Sequence, residues 1–234
     1  MEMPLESVLN FDLEKTSLFE LNNAVRLHAK SISEEQANDL SSPHISVTLT
    51  NARGQDFIGA GLRNVSQVIV KGSIGDFGFC SFGDGQSLVE GNVGDFFGHS
   101  IATGMLIVQG HAKDAVGAIG SGGLIAIYGN AQDRVAVGMQ GADIVVRGSV
   151  RNYAGCGMQS GTLIIGGSAG LLLGQGMSGG SIYIRGESES ISRDVEEQRL
   201  REPDRLKIGM LMLKSNIKSS GKEFRVFRAV REES

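Results

Sequence analysis

The segment VIVKG at residues 68–72 recurs six times downstream, as SLVEG, LIVQG, IAIYG, IVVRG, LIIGG and IYIRG. The closing glycines lie 19 residues apart throughout, at Gly72, Gly91, Gly110, Gly129, Gly148, Gly167 and Gly186. One apolar segment per unit of about 20 residues is typical of a solenoid, because each coil buries its apolar face only against its neighbours. We therefore predict an all-β fold, a right-handed parallel β-helix of about seven coils, with the hand following the usual preference of parallel crossovers.

Other positions of the repeat also form columns. In the interior we expect Met139, Met158 and Met177 to fill successive coils. A short acid or amide at the fourth position after each closing glycine suits an exposed corner, where it accepts hydrogen bonds from backbone N–H groups two residues further on. These residues are Asp76, Asp95, Asp114, Asp133 and Asn152. Glycines where we expect positive φ or close approach of coils are Gly98, Gly117, Gly155, Gly174, Gly138, Gly157 and Gly176.

The strand of each coil has an outward side that is also apolar. Alternation along the strand turns every second residue inward and the residue between them outward. The outward residues, which we call the apolar stripe, are Ile69, Leu88, Ile107, Ala126, Val145, Ile164 and Tyr183. Soluble monomers rarely expose such a contiguous patch, so we expect either the N-terminal helix, the C-terminal tail or a partner protein to cover it.

The flanks of the repeat divide the chain into three parts. Residues 1–45 are predicted to form a helical cap, with a capping box from Ser17 to Glu20 and a shorter second helix introduced by Ser33 and Gln36. Residues 46–187 form the β-helix, whose first coil is offset by one residue because Asp56 lies 39 residues before Asp95. Residues 188–234 are a charged, partly helical tail, whose helix starts at Pro203 and whose basic residues are expected to be solvated.

Composition excludes several classes of function. The net charge of −4 argues against a nucleic-acid or membrane-surface role, and no apolar run is long enough for a membrane span. Two cysteines are too few for a disulfide framework, and the N-terminal residues lack the features of a signal peptide. We therefore expect a cytoplasmic protein.

The sequence predicts no catalytic, cofactor-binding or metal-binding residues. GQGMSG at residues 174–179 has the letters of a dinucleotide fingerprint, but a strand rather than a helix follows it. Cys80 and Cys156 share a column four coils apart, roughly 19 Å, and are predicted to be free thiols. His99 lies on the coil next to Cys80, yet two ligands do not make a zinc site.

Two segments carry a resemblance to a known family. YAGCGMQSGTLIIGG at residues 153–167 and LLLGQGMSGGSIYIRG at residues 171–186 resemble the GXGXG β-helix domain at the C-terminus of the glutamate synthase large subunit. The same domain occurs as a separate polypeptide in glutamate-synthase-like complexes, such as N-methylglutamate synthase, and as the β-helix subunit of formylmethanofuran dehydrogenase. DLEKTSLFELNNAVRLHA at residues 12–29 and LREPDRL at residues 200–206 favour the first group.

The resemblance implies a non-catalytic scaffold. In the family, ammonia release belongs to a class II glutamine amidotransferase and redox chemistry to an FMN and iron–sulfur protein, so we expect a hetero-oligomer in which the partners of this chain bind the cofactors. Neither active site transfers to this chain, where Glu2 follows Met1 and only two cysteines occur. The alternatives are the scaffold subunit of a formylmethanofuran dehydrogenase or related formyltransferase complex, and a free-standing β-helix enzyme acting on a carbohydrate.

Overall fold

The computed structural model describes residues 7–35, 45–63, 65–218 and 223–230. Two helices lie in these residues, α1 (Leu18–Glu35) and α2 (Glu202–Lys214). The strands are β1 (Ser7–Asp12), β2 (Ile45–Arg53), β3 (Gln67–Ser73), β4 (Gln86–Val89), β5 (Met105–Val108), β6 (Leu124–Ile127), β7 (Gln140–Val146), β8 (Ser160–Ile165), β9 (Ser181–Ile184), β10 (Val195–Gln198) and β11 (Arg225–Ala229).

These strands form one sheet in the order β1-β2-β3-β4-β5-β6-β7-β8-β9-β11-β10. Neighbouring strands from β1 to β9 are parallel. From β3 onward their register advances by 19 residues, as in the pair Leu106 and Ile125, except at Gln140, which pairs with Ser160. Each coil therefore adds one strand in register with the preceding one. The predicted parallel β-solenoid is confirmed.

The core occupies the interior of the coils, as the strand alternation predicted. Met139, Met158 and Met177 are buried in successive coils. Near the N-terminal end, Phe79 packs edge-on against Phe82 and Phe97, with ring centroids 5.4 and 6.0 Å away. The buried inward-facing strand residues are Val68, Val70, Ser87, Val89, Leu106, Val108, Ile125, Ile127, Ile144, Val146, Leu163, Ile165, Ile182 and Ile184.

The constant 19-residue interval predicts that Gly129, Gly148 and Gly167 stack in one column, about one strand spacing apart, and the structure confirms this. The N–H of Gly148 donates to the carbonyl of Gly129 at 3.0 Å, and that of Gly167 donates to Gly148 at 2.8 Å. A Cβ placed on Gly129 would lie 2.5 Å from the carbonyl oxygen of Gly110 on the preceding coil. Glycine is needed here because the coils approach too closely for a side chain.

The N-terminal flank contains a strand that the sequence analysis did not predict. β1 pairs in parallel with β2 and adds a rung before the repetitive region. The capping box of α1 is confirmed, since Ser17 N–H donates to Glu20 Oε2 at 2.8 Å and Glu20 N–H donates to Ser17 Oγ at 3.3 Å. Ser33 lies inside α1 rather than capping a second helix, because no helix breaker interrupts α1 before it. Gln36, the other residue of that predicted signal, lies outside the described residues.

The first coil is offset, as predicted. Asp76 N–H donates to Asp56 Oδ1 across 20 residues instead of 19. The irregularity continues into the β2–β3 pair, where the register shifts between Leu49 and Ala52. An insertion at this corner is absorbed by a bulge, so the inward positions of the two strands stay aligned.

The C-terminal flank ends the solenoid by reversing strand direction. Parallel bridges from Ala169 to Ser188 and from Leu173 to Ile191 carry the coil pattern slightly beyond Gly186. β11 then pairs antiparallel with both β9 and β10, and α2 has Pro203 in its first turn as predicted. The tail is therefore part of the sheet, because it supplies the last two strands, β11 and β10.

Candidate functional site

The apolar stripe is divided into a covered half and an open half. Ala126, Val145, Ile164 and Tyr183 are buried, and the last three belong to a cluster with residues of α2 and β11. Ile69, Leu88 and Ile107 are only half-buried. Of the three covers predicted for the apolar stripe, the C-terminal tail is therefore the one that lies on the half from β6 to β9. The described part of the tail does not cover the half from β3 to β5.

Helix α2 runs along the stripe from β9 towards β6. Near its start, Asp204 accepts a hydrogen bond from Tyr183 Oη at 2.8 Å, and one turn later Lys207 Nζ lies 3.0 Å from Asp143 Oδ2 on β7. Just past its end, the carbonyl of Ser215 accepts a hydrogen bond from Tyr128 Oη at 2.9 Å. The helix axis therefore follows the stacking direction of the coils.

A polar cluster anchors the start of α2 within this apolar contact. Asp204 is 6% exposed and accepts hydrogen bonds from Tyr183 Oη, the N–H of Arg201 and the guanidinium of Arg228. Arg228 also donates to Ser181 Oγ at 3.0 Å. Burial alone would raise the pKa of Asp204, but these donors outweigh it and lower the pKa below its usual value. Burial, together with the carboxylate of Asp204, raises the pKa of Tyr183.

This cluster predicts a pH dependence of stability. Because the pKa of Asp204 is lowered in the folded state, its contribution is present above the ordinary value of 3.8 and is lost as the pH falls through the folded-state pKa. Replacing Asp204 with asparagine should lower the free energy of unfolding by about 2 kcal/mol at neutral pH. Urea unfolding of both proteins should show this difference shrinking from pH 7 to pH 3. A difference independent of pH would mean that the carboxylate charge does not anchor α2.

A groove runs beside the apolar stripe, along the N-terminal part of successive strands and against the C-terminal part of α2. Its volume is about 800 Å³. Its lining combines Leu211 and Lys214 of α2 with four successively paired residues of β4 to β7, namely Gln86, Met105, Leu124 and Asp143. The groove therefore lies two residues before the stripe along each strand and is closed on one side by α2.

The aspartate column forms a ladder along one corner of the rod. One carboxylate oxygen of Asp95 accepts the N–H of Asp114 at 2.9 Å, and Asp114 does the same for Asp133 at 3.0 Å. The prediction that each side chain bonds to an amide two residues further on was wrong, because the donor belongs to the next coil, 19 residues on. One oxygen of each of these carboxylates is therefore used in holding neighbouring coils together.

A second ladder of this kind was not predicted from the sequence. Asn92 Oδ1 accepts the N–H of His111 at 2.7 Å, and His111 Nδ1 accepts the N–H of Asn130 at 3.0 Å. The ladder occupies the position directly after each closing glycine. The signal for it was a short polar side chain or histidine at that position, namely Ser73, Asn92, His111, Asn130, Ser149 and Ser168.

The comparison with known proteins assigns the family. The profile of the GXGXG motif family matches residues 15–225, which is most of the chain. The chain belongs to the GXGXG motif family. This family indicates a glutamate-synthase-related domain, and the resemblance noted from residues 153–186 is confirmed. No curated protein matches the chain.

The GXGXG motif has a backbone explanation in this chain. In YAGCG, Tyr153, Gly155 and Gly157 all have positive φ, at 60°, 73° and 64°. Three left-handed residues separated by single residues turn the chain sharply, which side chains at all three would strain. Gly155 also lacks room for a Cβ, which would lie 2.5 Å from Ile182 Cδ1 on the next coil.

An aromatic row lies on the surface of the first GXGXG coils and was not singled out in the sequence. Phe77 stacks between Phe57 and Phe96, with ring centroids 5.3 and 4.9 Å away and nearly parallel planes. The ring of His99 contacts Phe77 and Phe96 edge-on. Phe57, at the N-terminal end of the row, is 49% exposed.

The remaining candidates from the sequence do not assemble into a site. Cys80 and Cys156 are free, and burial raises the pKa of the Cys80 thiol. His99 Nδ1 lies 2.8 Å from Ser100 Oγ. In the described part of the GXGXG chain, no three His, Cys, Asp or Glu residues are placed to hold a metal ion. Strand β9 follows GQGMSG, as predicted.

One general feature concerns membranes. Neither helix in the described ranges is both long and apolar enough to cross a bilayer.

Proposed function

We propose that this chain is a non-catalytic scaffold subunit of a cytoplasmic glutamate-synthase-like enzyme. It holds a class II glutamine amidotransferase subunit and an FMN-binding subunit in one hetero-oligomer. FMN and the iron–sulfur cluster belong to those partners. The cluster does not fit this chain, because it needs at least three cysteine ligands, whereas the sequence has two, on different coils.

The observation that carries this proposal is the family match over residues 15–225. The match extends past the solenoid into both flanks, so it includes α1 and α2. A stack of coils joined by backbone hydrogen bonds and two side-chain ladders is suited to hold other proteins at a constant separation. The polar side chains at the corners of the solenoid hold neighbouring coils together. We therefore assign its surfaces to protein contacts rather than to catalysis.

The aromatic row is our candidate contact surface for a partner protein. Aromatic side chains are enriched at protein interfaces, where they bury a large area at low entropic cost. Phe57 is 49% exposed and its ring stacks on Phe77, which in turn stacks on Phe96. A partner side chain stacking on Phe57 would extend an arrangement that the chain has already ordered.

Co-expression tests both the partners and the surface. When the full chain is expressed with an amidotransferase and an FMN protein of the glutamate-synthase type, we expect one complex whose glutamine-dependent synthase activity requires this chain. Phe57→Asp should weaken its assembly about tenfold or more. Ile191→Asp is the control, since Ile191 is 41% exposed at the other end of the solenoid.

Two outcomes would favour the alternative functions, and a third would contradict the proposed contact surface. Assembly with molybdopterin and amidohydrolase-like proteins instead would support the formylmethanofuran dehydrogenase relationship. Carbohydrate cleavage by the purified chain alone would overturn the scaffold role. Equal loss of assembly in both variants would show that the aromatic row has no special part in the contact.

A further inference from the structure

Helix α2 is apolar on two opposite faces. Ile208, Leu211 and Met212 are buried against the sheet. On the other side, Leu206, Met210 and Leu213 are 66%, 44% and 80% exposed. At 100° per residue the two sets point in opposite directions. We call the exposed set the α2 ridge, and nothing in the described chain covers it.

The open half of the stripe is the second uncovered apolar surface on the same side of the sheet. It comprises Ile69, Leu88 and Ile107, one residue on each of three neighbouring strands. At one end it stops at Thr48 on β2, which pairs with Ile69. At the other end it stops at Ala126 on β6, which pairs with Ile107 and is fully buried. Its apolar length is therefore three rungs.

The ridge and the open stripe match in length. Three rungs span two strand spacings, roughly 9.6 Å. The ridge runs from Leu206 to Leu213, a rise of seven residue steps or roughly 10.5 Å. The covered half of the stripe also shows that this column packs against the apolar side of a helix lying along the rod, since α2 does so on β6 to β9.

We propose that the occupant of the open stripe is the α2 ridge of a second copy of this chain, in a two-fold symmetric dimer. The side of the sheet that carries α2 is a step, raised where α2 lies and low over the open stripe. A two-fold axis that lies parallel to the sheet and perpendicular to the stacking direction of the coils turns the second copy to face the first, with its coils in the opposite order. Helix α2 of each copy then lies over the open stripe of the other. Such an interface is self-complementary and closes with two copies.

The direction of α2 sets the pairing of residues. Its C-terminal end lies nearest the step, because Tyr128, which directly follows β6, donates a hydrogen bond to the carbonyl of Ser215 just past α2. Across the axis, Leu213 therefore meets Ile107 of the other copy, Met210 meets Leu88, and Leu206 meets Ile69. The C-terminal ends of both helices approach the axis with their Lys214 side chains, which suit the negative end of a helix dipole.

The mass of the full chain in solution tests the dimer. At micromolar concentration, light scattering or sedimentation should give twice the chain mass of 24.8 kDa. Leu213→Asp should give a monomer with an unchanged circular dichroism spectrum, since Leu213 is 80% exposed. Its unfolding midpoint should be lower than that of the wild-type chain and independent of protein concentration, because the dimer no longer stabilises the folded state. Phe19→Asp is the matched control, because Phe19 is 78% exposed on α1 and should leave the dimer intact.

Crosslinking tests the arrangement. In a Cys80→Ser/Cys156→Ser background, Leu213→Cys with Ile107→Cys should form covalent dimers on mild oxidation, whereas Leu213→Cys with Ile69→Cys should not. A monomeric wild-type chain would overturn the proposal and leave the open stripe to a different protein or to residues 36–44. A dimer that survives Leu213→Asp, or equal crosslinking of both pairs, would also overturn it. The proposal does not depend on the scaffold function, which the co-expression experiment tests separately.

Discussion

Val145→Asp is expected to lower the free energy of unfolding by about 4 kcal/mol, because it places an unpaired charge in a fully buried apolar contact. Val145 has no exposed surface and lies beneath α2. Urea unfolding followed by circular dichroism measures the loss, which should be large enough to release α2 or to prevent folding. The same experiment reports whether α2 covers this half of the stripe.

Ile69→Asp is the control for that experiment. Ile69 occupies the same column on the open half, so its aspartate remains hydrated and should cost only about 1 kcal/mol. Both substitutions are made in the Leu213→Asp background, so that self-association does not contribute to either value. Equal losses at Val145 and Ile69 would contradict the division of the stripe into covered and open halves.

Gly91→Ala should destabilise the solenoid by about 3 kcal/mol. A Cβ on Gly91 would lie 2.5 Å from the carbonyl carbon and oxygen of Gly72 and 2.6 Å from Ser73 N, all backbone atoms of the preceding coil. Backbone atoms held by neighbouring coils cannot move aside as a side chain could. Thermal unfolding of the variant should therefore occur at a markedly lower temperature.

Gly209→Ala is the matched control, and we expect it to raise the free energy of unfolding instead of lowering it. Gly209 lies in α2, and a Cβ there would meet no atom within 4 Å. Alanine is the better helix former, so this variant should gain about 0.5 to 1 kcal/mol. A neutral Gly91→Ala variant would mean that the coils can separate locally without cost, contrary to the close stacking of the glycine column.

The 19-residue repeat was sufficient to predict most of the interior of the solenoid. Inward and outward strand residues, the methionine column and the stacked glycines followed from the 19-residue period, because in a solenoid each residue packs against its counterpart one period away. The same reasoning failed for the donors to the aspartate column. It treated each corner as an isolated turn, whereas the nearest free N–H lies on the next coil.

Thus the sequence alone determined the coil, its period, its interior and the family resemblance, since these depend on contacts between equivalent positions. Only the tertiary structure decided how the flanks are used: that β1 precedes the first coil, that β10 and β11 end the sheet antiparallel, and that α2 covers half of the stripe. The flanks do not repeat, so nothing in their spacing identifies their partners. Their positions depend on single long-range contacts, such as Tyr183 and Arg228 with Asp204, which are formed only when the chain has folded.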